Sequence, residues 1–384
     1  MMPYRIAMVM GCPFPAAQGT QVLVEQMSRA LVNRGHQVHI VAYHFGDPTR
    51  TIDLNIHRAP GFPGYHRFRS GPDLRKLVLD WGLTKTLLKV VKQYDVQVIH
   101  AHNYEAPIAA YAVRRKTGIP VIYHAHNLLG EELPTYFRHR LVKSQMESLG
   151  YYLDQSIPPK GDFCVALTPG IQDALISRGT QPAKVISIPP AVEPLPPDGH
   201  IPFPVPTAAY QGNLDSYQNL DFLLDAWKLV LKTIPIAQLL ILTHGDGSRF
   251  RRLVRRLGLS SQVKVKDQLT FSESLELLMR CPVAVNPRFG WWGFPIKLLN
   301  YLETNRPIVS CRGSAHGLHH LQNAWVVENG DLEQFAAGII ELFINPGLAK
   351  SLGMTAQNTV RKDFSWQGVI PRLEETYERV LNDR

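Results

Sequence analysis

At 384 residues, with 45% hydrophobic and 19% charged side chains, the chain is too long for one ordinary core and suits two domains of roughly 150 to 200 residues each. No apolar run reaches the ~18 residues of a membrane span, and the N-terminus shows no signal-peptide pattern. The formal charge of +9 is uneven, with 21 Lys+Arg against 14 Asp+Glu up to residue 195 and 20 against 18 beyond it.

The first half alternates strand and helix. Short apolar runs at Tyr4 to Met10, Gln37 to Ala42, Val96 to His100, Pro120 to His124, Phe163 to Leu167 and Val185 to Ile188 predict strands covered on both faces. Helical patterns such as Val22 to Asn33 and Pro169 to Arg178 separate them. Alternation of this kind predicts a parallel, doubly wound sheet, in which ligands collect at the carboxyl ends of the strands. After the first strand, a loop through Gly19, Thr20 and Gln21 reaches a helix. It is not G-x-G-x-x-G, so a dinucleotide fingerprint is absent. Gly19 can admit a ligand close to the backbone and Thr20 can cap the helix, and a tight turn asks for the same residues.

His100 and His102 form one pair at period two, and His124 and His126 another, so each pair projects from one face of its strand. No carboxylate or cysteine joins them at ligand spacing, so a bound metal is not expected. Histidines at a cleft mouth serve as hydrogen-bond donors to substrate, or simply end their strands. Arg67, Arg69, Arg75, Lys76, Lys85, Lys89 and Lys92 share a segment with Leu74, Leu77, Val78, Trp81, Leu87, Leu88 and Val91 at near-helical spacing, and Arg138, Arg140 and Lys143 follow in another. Such a segment (67–92) can lie on an anionic membrane surface or be a solvated helix face. A nucleic-acid partner is not expected, because no recognised motif and no stripe of aromatics accompanies the charge. Cys12, Cys164, Cys281 and Cys311 lie far apart without a C-x-x-C, as reduced cytosolic thiols do.

Eight prolines between Pro189 and Pro206 mark a stiff connector. The expected division is therefore 1–190, a linker 191–207, a second domain 208–364 and a C-terminal helix 365–384 that packs back on the first domain. The second series opens with Tyr210-Gln-Gly-Asn-Leu-Asp-Ser-Tyr-Gln218, a strand that empties into a glycine loop. Leu220 to Leu231 is an amphipathic helix, and Ala237 to Thr243 is a strand whose exit carries Gly245 and Asp246. Strands at Gln262 to Lys266, Val283 to Asn286 and Pro307 to Ser310 follow, with helices from Leu332, Gly347 and Ser365. Between Asn286 and Glu303, Arg288 stands in a loop that closes on Gly293-Phe-Pro-Ile-Lys297. Pro295 suits the first turn of a helix whose buried face is Leu298, Leu299 and Leu302, and the free N–H groups of such a helix start suit a phosphate.

These residues, in this order and spacing, resemble glycosyltransferase family 4, the retaining nucleotide-sugar transferases of two-Rossmann (GT-B) architecture, and the resemblance spans nearly the whole chain. It rests on Gln18-Gly-Thr-Gln21 through Arg34-Gly-His36, on Val98-Ile-His-Ala-His102, and on Pro120-Val-Ile-Tyr-His-Ala-His126. In the second half it rests on Tyr210 to Gln218 and on Gly293 to Leu302 with Arg306-Pro-Ile-Val309. Where the family carries two glutamates eight positions apart, this chain has Trp292 and Asn300, and where an Arg and a Lys usually hold phosphates it has Asn213 and Gln218. A sub-branch with Tyr-Gln in the first segment and Pro-x-Lys in the second is similar to this chain.

The resemblance implies an α/β fold of two Rossmann-like domains facing across a cleft. It implies transfer of a sugar from a nucleoside-diphosphate sugar to an acceptor hydroxyl with retention of configuration. His126, Lys297 and Arg288 would be catalytic, with Gly212, Asn213, Gly245, Asp246, Gly293, Phe294, Pro295, Ile296 and Asn300 on the donor. Gly19, Thr20, Gln21 and His102 would meet the acceptor. No cofactor is implied, and no D-x-D triplet marks a divalent metal. A basic first half suits a glycan or lipid acceptor held at a membrane, in the cytoplasm and peripheral to its inner face. The competing expectation is a GT-B protein that has lost turnover and binds a nucleotide or protein partner.

Overall fold

The computed structural model describes residues 3–16, 18–48, 50, 52–61, 64–65, 73, 75–137, 139–195 and 199–382. Arg67, Arg69, Leu74, Arg138, Pro196 and Pro197, which figure in the basic segments and the proline connector, lie outside them. The chain divides into two compact units, the first of Met1–Ala191, Trp292–Phe294 and Trp366–Arg384, the second of Val192–Trp291 and Pro295–Ser365.

In chain order the first unit holds β1 (Arg5–Met10), α1 (Gly19–Asn33), β2 (Gln37–Ala42), β3 (Asn55–Arg58), α2 (Lys76–Gln93), β4 (Val98–His102) and α3 (Glu105–Thr117). It continues with β5 (Val121–Ala125), α4 (Leu129–Glu132), α5 (Arg140–Ser156), β6 (Phe163–Ala166), α6 (Pro169–Ser177) and β7 (Val185–Ser187). Among the described residues these strands form one parallel sheet in the order β3-β2-β1-β4-β5-β6-β7. Ile6 to Met10 have no exposed surface, as strands buried on both faces require. Strand order reverses between β1 and β4, and it is outside the carboxyl ends of such a pair that open α/β sheets bind ligands. Helix α6 starts where Thr168 accepts from Ile171 N–H ahead of Pro169, the cap and N1 proline that favour a helix start.

Helix α2 corrects the single amphipathic face expected of its segment. It turns Leu79, Gly82, Leu83, Leu87, Val90 and Val91 inward, while Leu77, Val78 and Trp81 stay exposed on the other side.

The second unit holds β8 (Thr207–Gln211), α7 (Leu220–Thr233), β9 (Gln238–Leu242), α8 (Ser248–Arg256), β10 (Val263–Lys266), α9 (Phe271–Met279) and β11 (Val283–Asn286). It goes on through α10 (Lys297–Glu303), β12 (Ile308–Cys311), β13 (Trp325–Val327), α11 (Leu332–Ile344) and α12 (Pro346–Asp363). Its described strands make a second parallel sheet, β10-β9-β8-β11-β12-β13, with the switch point between β8 and β11. The core beneath is a single cluster centred on Trp227, Leu223, Leu239, Ile241, Val285 and Phe335. Helix α9 opens with a full capping box, Thr270 and Glu273 each satisfying the other's backbone N–H.

The last helix, α13 (Trp366–Asn382), belongs to the first unit. Its Glu374 takes Arg34 Nη2 at 2.7 Å and His36 Nε2 at 2.9 Å, and its Tyr377 hydroxyl lies 2.8 Å from His100 Nδ1. Among the described residues no single helix is long and apolar enough to cross a membrane. The four cysteines are free thiols.

Candidate active site

Of the residues expected at the donor, Gly212 and Asn213 stand at the switch point of the second sheet, with Arg288 and Lys297 beside them. At the exit of β8, Gly212 has φ +147°, and a Cβ there would lie 3.0 Å from the Tyr210 hydroxyl oxygen and 3.5 Å from Lys297 Cδ. Only glycine takes that conformation and that space without strain. Asn213 is fully engaged: its carbonyl accepts from Tyr210 OH at 2.6 Å, its Oδ1 accepts from Gln218 Nε2 at 3.0 Å and its Nδ2 donates to Tyr217 OH at 2.6 Å.

At the exit of β11, Arg288 is only 8% exposed, and its guanidinium stands 5.4 Å over the Tyr217 ring. Its carbonyl accepts from Ser314 Oγ at 2.6 Å, and Ser314 is itself held by Asn286 Nδ2 at 2.8 Å. Phe289 is braced on both sides, its N–H donating to Asn219 Oδ1 at 3.0 Å and its carbonyl accepting from Asn329 Nδ2 at 3.2 Å. Lys297 comes in from α10, donating to Gln218 Oε1 at 2.8 Å and standing 4.0 Å over the Tyr210 ring. Burial, and then the charge of Arg288, push its pKa well below the ordinary lysine value. Two cations thus converge at the carboxyl ends of neighbouring strands, and the lysine's hydrogen-bond partner is a neutral amide. Such a place gains most from an anion.

Three further stretches expected at the donor have protein partners of their own. Helix α10 begins at Lys297, two residues after Pro295, and the carbonyls of Pro295 and Ile296 accept from Leu298 N–H at 2.8 Å and Leu299 N–H at 3.0 Å. Backbone therefore occupies the N–H groups of Leu298 and Leu299, and the Lys297 and Arg288 side chains bring positive charge to the same loop. Asn300 gives its amide to Gln211 Oε1 at 3.4 Å, so it braces β8. Gly245 and Asp246 are exposed at the exit of β9, where Asp246 accepts from Ser248 N–H and Oγ at 2.8 and 2.7 Å. Those two bonds hold its carboxyl below the usual range, and its visible task is to start α8.

In the first unit the histidines form a ladder on one face of the sheet. His100 Nε2 lies 3.0 Å from His124 Nδ1, His102 Nδ1 lies 3.0 Å from His126 Nε2, and His126 Nδ1 lies 3.3 Å from Thr20 Oγ1. His100, His102 and His124 are within one percentage point of zero exposure, and His126 is 7% exposed. Burial keeps all four neutral: His100 and His126 are lowered to about 3, and His102 and His124 also fall well below the ordinary value.

His102 was expected at the acceptor, but both its nitrogens are occupied, by His126 and by Met8 Sδ at 3.3 Å, so it stands behind His126. Strand β4 ends at His102 and β5 at Ala125, so His102 and His126 stand at the carboxyl ends of their strands. Ligand nitrogens of His100, His102 and His124 lie within 4.8 Å of one another. The His102 and His124 planes lie within 15° of the His100 plane or 31° of each other. Five of the six ring nitrogens of these three histidines, however, already face a protein partner.

Thr20 does not cap α1. Gln18 holds that position without a side-chain bond, and Gln21 is buried, donating to Pro13 O and Gln18 Oε1 at 3.3 Å. Gly19, the first residue of α1, is exposed. Gly293 and Phe294 fall in this unit: Gly293 bridges Asn127, and Leu128 N–H donates to Trp292 O at 3.1 Å. Asp154, which sequence reasoning missed, pins the segment after His126 by accepting from Leu129 and Gly130 N–H at 3.0 Å, from Tyr104 and from Arg178. Nothing in its local sequence marks it, because its partners come from three other segments.

Two parallel Rossmann-like sheets, with two basic side chains at the second switch point, define the class of GT-B folds. Residues 17–194 match the family described as Glycosyltransferase Family 4, and residues 205–345 match Glycosyl transferases group 1. The chain belongs to glycosyltransferase family 4, and it is a glycosyltransferase.

Among its relatives, the phosphatidyl-myo-inositol mannosyltransferase of Mycobacterium tuberculosis is 22% identical over 391 residues, covering 98% of this chain and 97% of that protein. An uncharacterized glycosyltransferase of Methanocaldococcus jannaschii is 19% identical over 177 residues, or 45% of each protein. Of solved structures, sucrose-phosphate synthase from Thermosynechococcus elongatus superposes with a TM-score of 0.81 at 17% identity, covering 99% of this chain and 100% of that one. Anabaena HepE in complex with UDP and glucose has a TM-score of 0.75 at 13% identity, with 98% and 100% covered. These likenesses show the GT-B fold.

Proposed function

We propose that the chain moves a sugar from a nucleoside-diphosphate sugar to a hydroxyl of a lipid or lipid-linked glycan, with retention of configuration. The observation that carries this is the convergence of Arg288 and Lys297 at the switch point of the second sheet. The barrier to glycosyl transfer lies in departure of the diphosphate, and fixed cations stabilise the charge that develops there. Arg288 and Lys297 hold the diphosphate, Gly212 lets the backbone approach it, and His126 meets a hydroxyl of the substrate. The Mycobacterium tuberculosis relative, named for a phosphatidylinositol acceptor, supports a lipid acceptor here.

A membrane site of action is part of the same proposal, on the cytoplasmic face. On α2, Leu77 (70% exposed), Val78 (50%) and Trp81 (63%) stand outside the core. Lys85 lies 3.3 Å over the Trp81 ring, and Lys89 and Lys92 are exposed further along. An apolar patch that continues into lysines is what anionic lipid accepts.

The test is titration with UDP, GDP, ADP and dTDP, followed by transfer from the matching labelled sugar to lipid vesicles, with the product's anomeric configuration read by NMR. One diphosphate bound at micromolar strength and an axial-to-axial or equatorial-to-equatorial outcome support the proposal. Binding without transfer would favour a nucleotide-binding protein that has lost turnover, and absence of both would favour the reading in which it binds a protein partner. Replacing Lys85, Lys89 and Lys92 by glutamate should release the protein from anionic vesicles, and unchanged sedimentation would remove the membrane part.

A further inference from the structure

The hydrogen bonds around His102 run in one direction. A neutral imidazole carries one N–H and one bare nitrogen, and a thioether sulfur accepts but never donates. Met8 Sδ faces His102 Nε2 at 3.3 Å, so that nitrogen bears the proton and His102 Nδ1 is bare. His126 Nε2, 3.0 Å from it, must then donate. That leaves His126 Nδ1 bare, facing Thr20 Oγ1 at 3.3 Å, and Thr20 in turn accepts from Asn103 Nδ2 at 3.4 Å. The reverse arrangement would press the bare Nε2 of His102 against sulfur lone pairs and leave a buried site unsatisfied. The doubly protonated form is also excluded, since burial holds His126 at about 3.

We propose that Met8 and His102 are positioning residues that lock His126 into one tautomer, with Nδ1 a hydrogen-bond acceptor aimed at Thr20 and open to exchange for a substrate hydroxyl. The family resemblance placed His126 among the catalytic residues without saying which part of the substrate it meets. An acceptor nitrogen repels phosphate oxygens and takes a hydroxyl, so His126 reads a sugar. That substrate half rests on the glycosyltransfer proposal, whereas the tautomer half does not.

The experiment is long-range proton–nitrogen NMR of the full-length protein carrying 15N-histidine, with the His126 ring assigned by its loss in His126→Gln. The wild type should show a protonated Nε2 and a bare Nδ1. Met8→Leu, nearly isosteric, removes the sulfur and should give a mixed tautomer population. His102→Gln, which can accept from His126 while donating to Met8, should keep the wild-type pattern, and His102→Leu should not. A protonated Nδ1 in the wild type, or an unchanged His126 signal in Met8→Leu, would overturn the assignment.

In turnover, Met8→Leu should lower kcat roughly five- to tenfold, the scale of one neutral hydrogen bond, with little change in the KM for the donor. His102→Gln should restore most of the rate that His102→Leu loses. Failure to transfer any sugar would sink the functional proposal while leaving the tautomer result standing.

Discussion

Lys297 Nζ stands 4.0 Å from the centre of the Tyr210 ring and 2.8 Å from Gln218 Oε1, so a cation delivered by α10 rests on two groups from β8 and its exit. Burial and Arg288 both disfavour its charge in the free protein, and a diphosphate would reverse that. Lys297→Ala should weaken diphosphate binding by about 1.5 to 3 kcal/mol, or roughly ten- to a hundredfold. The sign of the pH effect follows from the lowered pKa. Anion binding raises it again, so protons are taken up on binding, and affinity falls as pH rises toward the ordinary lysine value of 10.5. Calorimetry in two buffers of different ionisation enthalpy should show this uptake. A diphosphate affinity that stays flat from about pH 7 to 10 would count against a titrating lysine.

Two glycines at neighbouring strand exits separate conformational need from openness. Gly212→Ala meets both a φ of +147° and a contact of 3.0 Å with Tyr210, and should cost about 1 to 3 kcal/mol in chemical denaturation along with diphosphate affinity. Gly245 has ordinary φ, and its nearest neighbour would be Thr243 Oγ1 at 3.8 Å. Gly245→Ala should stay within about 0.5 kcal/mol of the wild type. Equal losses at both positions would show that the Gly212 conformation is not what matters.

The alternation of strands and helices was legible because runs such as Ile6 to Met10 and Leu239 to Leu242 are buried almost completely, so their apolarity is continuous. Strand β3 was not legible. It is an edge strand reading Asn-Ile-His-Arg, half-exposed along its length, and leaves no hydrophobic signature. Strand β13 is three residues long. Period two correctly put each histidine pair on one face. It could not say that the face is closed by Tyr377, 277 residues away, or that Met8 sits behind His102. The cations Arg288 and Lys297 were legible as charges in a loop. Their seats on Tyr217 and Tyr210 were not, because neither tyrosine lies near its cation in the sequence. Pro295 misled for a different reason: the chain enters α10 through a tighter turn, so the proline precedes the helix.

Glu374 ties α13 to the first sheet. Its carboxylate has 1% side-chain exposure and takes Arg34 and His36 together. Burial alone would raise its pKa, and the hydrogen bonds from Arg34 and His36 outweigh that, so it remains charged. His36 Nδ1 accepts from Tyr4 N–H at 3.0 Å, which leaves Nε2–H to donate to Glu374. Glu374→Gln should cost about 1.5 to 3 kcal/mol by denaturant titration, because two donors face a weaker acceptor. Arg34→Ala should cost much less, since half of that side chain is in water. If the two variants are equally stable, the buried end of the pair is not where the stabilisation lies.

The histidine ladder should make the first unit sensitive to acid. His100 and His126 are lowered to about 3, and His102 and His124 also lie well below 6.5, whereas in the unfolded chain all four titrate near the ordinary value. Between these limits the unfolded state binds more protons than the folded one, so stability rises with pH. It is complete above about 6.5 and is lost progressively as pH falls toward 3. Each histidine can contribute up to about 1.4 kcal/mol per pH unit in that window. The four are coupled through shared hydrogen bonds, so their slopes add incompletely. Thermal unfolding followed from pH 8 to 4 should show a steep fall in Tm below about pH 6. His100→Phe combined with His124→Leu should make that fall shallower whatever it does to stability at pH 8. A wild-type Tm that barely changes across this range would mean that the ladder stays open to water and protonates without unfolding.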